Sequence, residues 1–284
     1  MKQRIIFAIV AIIVGLSSFS ICSQDKGMDD IEAINQQALS LYDNERYDES
    51  VPLLLKAAKA GNSQAQWCLG NCYYNGLGVA KDIEESFYWL QKAADQGLTE
   101  ARYEIGVFYL NGEGVQQDYA KALQYFEKAA IYGYVYAYIN LGLLYFNGWG
   151  VEKNLDLAIF WTKKAAEQNI VEAQANMGNI YLTKNDFTQA AYWYEKAAEQ
   201  GYAQAQCNLG HFYLQGLGVT TDFEKALYWT KKAAEQGFAE AQYNLGFFYL
   251  NGICVEKNKD HAIFWLTKAA EQGLQAAKNL LQIK

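Results

Sequence analysis

Apolar residues recur every three or four positions along much of the chain, as they do in pairs of amphipathic helices. One copy of this pattern reads EAQYNLGFFYLNGICVEKNKDHAIFWLTKAAEQG, and its first helix should run from about Glu240 to Asn251. Ala241, Leu245 and Tyr249 are four residues apart, so they fall on one side of that helix. We expect this side to form the core between the two helices of a pair.

The same pattern recurs along nearly the whole chain at a fixed step. The segment KAAEQG stands at residues 196–201, 232–237 and 268–273, with near-copies upstream. Its last residues are separated by 36 positions, with one interval of 32, and are Gly61, Gly97, Gly133, Asn169, Gly201, Gly237 and Gly273. A fixed period in this range indicates stacked two-helix units.

Each second helix carries its own start and stop signals. Short acceptor side chains stand where the helix should begin, at Asp82, Asp118, Asn154, Asp186, Asp222 and Asn258. Such N-cap residues satisfy a free backbone N–H. Seven positions on comes an aromatic residue, which we interpret as packing: Trp89, Tyr125, Trp161, Trp193, Trp229 and Trp265. The glycine of KAAEQG then ends the helix in the left-handed conformation, which asparagine at position 169 also tolerates.

Together these positions resemble the Sel-one-like repeat (SLR) family, which is related to tetratricopeptide repeats. The resemblance covers about residues 30–284 and rests on the Leu-Gly, Gly-x-Gly-Val, Asp/Asn and Lys-Ala-Ala-x-x-Gly positions. It implies an all-α, right-handed superhelical α-solenoid of stacked antiparallel helix pairs. Two units, around YDNERYDES and LTKNDF, lack the Gly-x-Gly loop and look closer to tetratricopeptide length. The regular cysteine framework of the family's cysteine-rich secreted members is absent.

The first residues differ from the repeats. MKQRIIFAIVAIIVGLSSFSICSQ has a basic start and twelve mostly apolar residues from Ile5 to Leu16, fewer than the roughly 20 that a membrane span needs. We expect a signal peptide over 1–23, a short linker over 24–32, seven helix pairs over 33–273 and a capping helix over 274–284. A lipoprotein acylated at Cys22 and an uncleaved anchor remain as alternatives. The protein is expected to be exported, either periplasmic or secreted, and monomeric.

The net charge and the missing catalytic motifs argue against several classes of function. The formal charge is −7 with no basic block, which disfavours nucleic acid and anionic membrane surfaces as partners. The only two histidines lie in different repeats, and the sole Ser-x-x-Lys, from Ser23 to Lys26, has no accompanying Lys-Thr-Gly. We therefore expect no catalytic site, cofactor or metal. The mature cysteines at 68, 72, 207 and 254 are interpreted as free packing residues.

The variable positions suggest a binding groove. In tetratricopeptide-like arrays the first helix of each pair lines the concave side, where asparagines hold a peptide backbone. The proposed apolar positions are Trp67, Tyr103, Val107, Tyr136, Ile139, Leu143, Phe146, Tyr243 and Phe247, and the proposed amides are Asn140, Asn176, Asn208 and Asn244. An alternative is that the rings pack between neighbouring repeats.

The sequence thus predicts a non-catalytic scaffold that binds a partner protein or an extended peptide. The alternative is a binder of cell-wall fragments or β-lactams with weak hydrolase activity, because some secreted members of the family are linked to β-lactams.

Overall fold

The computed structural model describes residues 21–282, with side chains from Asp30 onward. Within this part of the chain there are fifteen α-helices and no strand. Residues 1–20 of the expected leader lie outside the described residues, as does the side chain of Cys22, so neither the signal peptide nor a lipid anchor is tested. Residues 24–32, which we expected to form a linker, belong instead to the first helix.

The helices follow one another with short connections. Their bounds are α1 (Ile21–Asp43), α2 (Tyr47–Lys59), α3 (Ser63–Asn75), α4 (Ile83–Asp95), α5 (Thr99–Asn111), α6 (Tyr119–Ala130), α7 (Val135–Asn147), α8 (Leu155–Ala166), α9 (Val171–Thr183), α10 (Phe187–Glu199), α11 (Ala203–Gln215), α12 (Phe223–Glu235), α13 (Ala239–Asn251), α14 (Lys259–Glu271) and α15 (Gln275–Gln282). We call α1, α3 and each odd-numbered helix to α13 the A helices, and the even-numbered ones the B helices.

The helices form two compact units. Unit 1 ends at Gln96 and contains α1–α4, whereas unit 2 begins at Gly97 and contains α5–α15. Within each unit, an A helix packs against the B helix that follows it, and that B helix packs against the next A helix. The last helix, α15, packs against α14. The fold class is therefore the predicted α-solenoid of paired helices.

The predicted helix signals are confirmed. Each of the six expected N-cap side chains accepts at least one hydrogen bond from a backbone N–H in the first turn of its B helix. The glycines that follow the B helices have φ between 83° and 99°, and Asn169 has φ 65°. The two short units turn without a Gly-x-Gly loop, through Glu45 and Asn185, each with φ 60°.

The core lies between the A and B helices. The Leu-Gly position of each A helix is at most 1% exposed in every repeat, at Leu69, Ile105, Leu141, Met177, Leu209 and Leu245. The tyrosine row of the same helices lies nearer the rim, because Tyr213 is buried while Tyr73, Tyr109, Tyr145, Tyr181 and Tyr249 are only half-buried. Among the B-helix aromatics, Trp89 and Trp193 are buried and the others are half-buried.

A pair of glutamines joins successive helices at four places. One member, in the first turn of an A helix, is buried; its Nε2 donates to the carbonyl eight residues earlier, at the end of the preceding B helix. These bonds are Gln66 to Ala58 (3.0 Å), Gln174 to Ala166 (3.4 Å), Gln206 to Ala198 (3.0 Å) and Gln242 to Ala234 (3.3 Å). Its Oε1 accepts from the glutamine of KAAEQG or its near-copy in the next B helix, which is Gln96, Gln200, Gln236 or Gln272, at 2.7–2.8 Å. We call this arrangement the glutamine ladder.

Candidate functional site

The predicted groove residues lie on A helices of both units, and each unit is described separately. In unit 1, Trp67 on α3 is half-buried and packs against the cluster that contains Leu69 and Cys72. It therefore contributes to the core of unit 1. The other twelve predicted residues lie in unit 2, on α5, α7, α9, α11 and α13.

Around α5 and α7 the predicted apolar anchors are mostly packing residues. The ring of Tyr103 lies 4.8 Å from that of Tyr134 and 5.6 Å from that of Phe126, measured between centroids. Burial raises the pKa of the Tyr103 hydroxyl, which accepts a hydrogen bond from Asn140 Nδ2 at 3.3 Å. Val107 and Ile139 pack against the same core cluster as Tyr103. For these three side chains the structure supports the alternative, packing between neighbouring repeats.

Tyr136 differs from its neighbours because it is 51% exposed at the start of α7. Its ring lies 6.3 Å from that of Tyr103 and 6.0 Å from that of Tyr134. It is thus the outer member of a cluster of three tyrosines, and it is the one predicted aromatic of this region that solvent reaches freely.

Further along unit 2, predicted residues meet around a small cavity between α7 and α9. Leu143, Phe146 and Asn176 line it together with Asn179 and Ile180. Its volume is about 100 Å³. This is room for a few water molecules rather than for a peptide side chain with its backbone.

A cavity of about 510 Å³ lies around α11 and α13. We call it the α11–α13 cavity. It brings together three predicted residues, Asn208, Tyr243 and Asn244. Its remaining lining residues are Leu182, Cys207, His211, Phe212, Leu217, Glu240, Leu274 and Ala276. A neighbouring cavity of about 200 Å³ shares His211, Tyr243 and Asn244 and adds the predicted Phe247.

A change of side-chain size explains where this cavity opens. At one repeat position of the A helices, large residues stand at Tyr103, Ile139 and Tyr243, while α9 and α11 carry the small residues Ala175 and Cys207. Of these two small residues Cys207 lines the cavity, where it fills less space than a tyrosine or an isoleucine would. The sequence contained this signal, since the positions align at the repeat period.

The asparagine row is partly engaged within the protein. Asn244 Nδ2 donates to Cys207 Sγ at 3.6 Å. Burial raises the pKa of Tyr194 to about 12, and a hydrogen bond with the Asn208 side chain acts in the opposite direction. The Tyr194 hydroxyl itself donates to Asn179 Oδ1 at 2.7 Å. These amides are therefore held in place by neighbours, which orients those of Asn208 and Asn244 at the cavity wall.

Two polar cavity residues were missed by the sequence reasoning. His211 stands at the repeat position that Val107, Leu143 and Phe247 occupy, although it is not among the predicted site residues. Glu240 stands at the position of Tyr136 and is not among the predicted site residues. Aligning every repeat position, instead of the aromatic ones alone, would have found both.

The cavity does not hold an activated nucleophile. Cys207 and His211 are one helical turn apart on α11, but burial, followed by the nearby Glu240 carboxylate, raises the pKa of the Cys207 thiol to about 11. The thiol is thus protonated at neutral pH, and the thiolate is the reactive form.

Within residues 30–282 no three His, Cys, Asp or Glu side chains are grouped to hold a metal ion. Nor is any helix of residues 21–282 long and apolar enough to span a bilayer.

Stacked helix pairs with a recurring cap, core and stop define the class of α-solenoid repeat proteins. The chain belongs to the Sel1 repeat family, whose sequence model matches six consecutive segments: 63–98, 99–131, 135–170, 171–202, 203–238 and 239–274. Repeats of this class generally serve as scaffolds in protein–protein interactions. A search of curated proteins found no match.

Solved structures agree with this assignment. The chain is 36% identical to c5321, a protective antigen present in uropathogenic Escherichia coli strains that displays an SLR fold; the TM-score is 0.79, and the match covers 88% of this chain and 56% of that one. The chain thus spans little more than half of c5321. A Sel1 repeat protein from Oxalobacter formigenes is 32% identical, with a TM-score of 0.73, over 83% of this chain and 96% of that one. Yeast Tom70, at 16% identity and a TM-score of 0.51, matches over 89% of this chain and 65% of its own, and shares the fold alone.

Proposed function

We propose that the protein is a non-catalytic scaffold that binds an extended segment of a partner protein on the A-helix side of unit 2. The observation that supports this most directly is the α11–α13 cavity, which is lined by both apolar side chains and two oriented amides. An extended peptide exposes backbone donors and acceptors that asparagine amides match, while its side chains require apolar space.

The protonated Cys207 and the lack of a catalytic motif favour the scaffold over the weak hydrolase. Export remains part of the proposal and rests on the sequence of residues 1–23. Mass spectrometry of the N-terminus of the protein isolated from its native host tests it. A mature chain that begins between residues 21 and 24 supports export, and an intact Met1 contradicts a cleaved leader.

Pull-down with variant proteins tests the binding site. The Asn208→Ala/Asn244→Ala pair and Phe247→Ser should each weaken partner capture at least tenfold, since central interface residues carry upward of ~1–2 kcal/mol each. Tyr228→Ser is the matched control, because Tyr228 is a 49% exposed aromatic on the B helix α12. The proposal is contradicted if the A-helix variants still capture the partner and Tyr228→Ser does not. The partner would then bind the B helices. Thermal melting shows that each variant is folded.

A further inference from the structure

The lining of the α11–α13 cavity divides into three kinds of chemistry. Leu182, Phe212, Leu217 and Leu274 supply apolar surface, and Asn208 and Asn244 supply amides. Glu240 is the single carboxylate among the lining residues, which include no lysine or arginine. The charge at this cavity is therefore negative, in a chain whose formal charge is −7.

Glu240 is available to a ligand. It lies in the first turn of α13, is exposed, and forms no ion pair with another residue in the part of the chain where side chains are described. Tyr243 follows three positions later, so the carboxylate and the ring lie on the same side of the helix. Because the carboxylate also acts on the buried Cys207 thiol, it lies close to the cavity wall.

A carboxylate beside an aromatic ring suits a cation. The carboxylate attracts a lysine or arginine head group and accepts its hydrogen bonds, and the ring face offers a second attraction to the same charge. The apolar lining residues suit the methylene stem of that side chain or a neighbouring apolar residue.

We propose that the α11–α13 cavity takes a lysine or arginine side chain of an extended peptide, next to an apolar side chain, and that Glu240 sets the preference for the positive charge. This inference rests on the proposed function, because it names the chemistry of the segment that binds the A-helix side of unit 2. Glu240 is then a specificity-determining residue, and Asn208 and Asn244 hold the backbone.

Selection from a phage-displayed library of random linear peptides on the purified full-length protein tests the preference. The native protein should enrich peptides in which Lys or Arg stands next to an apolar residue. Glu240→Gln should lose the enrichment of basic residues, and Glu240→Lys should enrich Asp or Glu in their place. Glu172→Gln is the matched control: Glu172 occupies the same repeat position on α9, outside the lining of this cavity.

Fluorescence anisotropy with selected synthetic peptides gives the size of the effect. Replacing the basic residue of the peptide by norleucine should weaken binding to the native protein and to Glu172→Gln about tenfold, and should leave binding to Glu240→Gln nearly unchanged. Circular dichroism verifies that the variants, which change an exposed side chain, keep their helix content.

The outcomes separate this inference from the proposed function. Suppose that the selected peptides show no preference for basic residues and still lose binding to the Asn208→Ala/Asn244→Ala variant. This result would overturn the inference but support the proposed binding site. A basic preference that persists in Glu240→Lys would also overturn it. If no peptide is enriched, or if binding ignores every cavity variant, the proposed function fails and the inference fails with it.

Discussion

The glutamine of KAAEQG has a structural role at the scale of single residues. Gln236, for example, donates from Nε2 to Gln206 Oε1 at 2.7 Å, and Gln206 donates in turn to Ala198 O at 3.0 Å. Three consecutive helices, α10, α11 and α12, are thus joined through two side chains. Because the buried Gln206 needs partners for its polar atoms, a change at Gln236 leaves Gln206 incompletely bonded.

One repeat replaces this pair by a different one. Arg102 stands at the position of the buried glutamine and Tyr132 at that of the glutamine in KAAEQG. The Arg102 guanidinium lies over the Tyr132 ring, 5.4 Å from its centroid. A cation–π contact therefore occupies the place of the amide pair in this repeat.

Changing Gln206 to alanine tests the ladder. We expect the free energy of unfolding to fall by about 1–3 kcal/mol, because the Ala198 carbonyl and the Gln236 amide each lose the hydrogen bond that they form with the buried Gln206 side chain. Urea denaturation of the purified protein measures this. Gln204→Ala, an exposed residue on the same helix, should change stability by less than about 0.5 kcal/mol. Equal effects of the two changes would mean that the ladder contributes nothing.

The cysteines should differ in their reactivity. Cys68, Cys72 and Cys207 are buried, whereas Cys254 is half-buried in a loop. Burial raises the pKa of Cys72 and of Cys207 to about 11, so at pH 8 their reactive thiolate is populated at only about 10⁻³.

We expect iodoacetamide to alkylate Cys254 first in the native protein at pH 8, as followed by peptide mass spectrometry. The rates at Cys72 and Cys207 should then rise as the pH increases toward 11, because the raised pKa values keep these thiols protonated below that range. Early labelling of Cys72 at pH 8 would contradict its burial.

At the scale of the element, the Leu-Gly pair sets the distance between the two helices of a repeat. A methyl group placed on Gly142 of α7 would overlap Thr162 Oγ1 of α8, while the backbone oxygen of Ala158 would remain 3.4 Å away. The close approach thus depends on the missing side chain at the glycine, because a side chain of the B helix fills that space: Thr162 beside Gly142, and larger residues such as Leu90 beside Gly70 and Phe126 beside Gly106.

A double-mutant cycle measures this dependence. Gly142→Ala should destabilise the protein by about 1–3 kcal/mol despite the higher helix propensity of alanine, because the added methyl group overpacks the interface. In the background of Thr162→Ala the same change should cost much less, since the overlapping hydroxyl is gone. Chemical denaturation of the four proteins gives the coupling energy. Additive effects would show that Gly142 is not constrained by Thr162.

At the scale of the whole molecule, the sequence predicted the fold better than the site. Caps, glycine stops and the apolar position of each A helix depend on local geometry, so they follow directly from spacing. Whether an A-helix aromatic is exposed depends on a neighbouring repeat: Tyr103 is covered by Tyr134, which precedes α7, whereas Tyr136 is not covered. The cavity is lined by the small residue Cys207 at a position where other repeats carry Tyr103 or Ile139, and this difference appears only when the repeats are compared position by position.

Stability should vary along unit 2 in a predictable order. α11 packs against α10 and α12, whereas α15 packs against α14 and fully buries Ala277 alone. In repeat arrays each helix is stabilised mainly by its neighbours. Hydrogen–deuterium exchange with mass spectrometry should therefore find peptides of α15 exchanging well before those of α11. Equal protection of the two helices would mean that unit 2 opens only as a whole.

The ladder also has a genetic consequence. Residues 203–238 form one copy of the repeat, and their in-frame loss would connect Tyr202 directly to Ala239. Gln242 would then stand eight residues after the same Ala198 carbonyl that Gln206 now contacts, so the joint would be rebuilt from identical parts. The deletion would, however, remove Cys207 and His211 and with them one wall of the cavity. Recombination between repeats can therefore change the lining of the proposed binding site while the hydrogen bond between neighbouring helices is kept. The number of repeats and the ligand specificity can thus evolve separately.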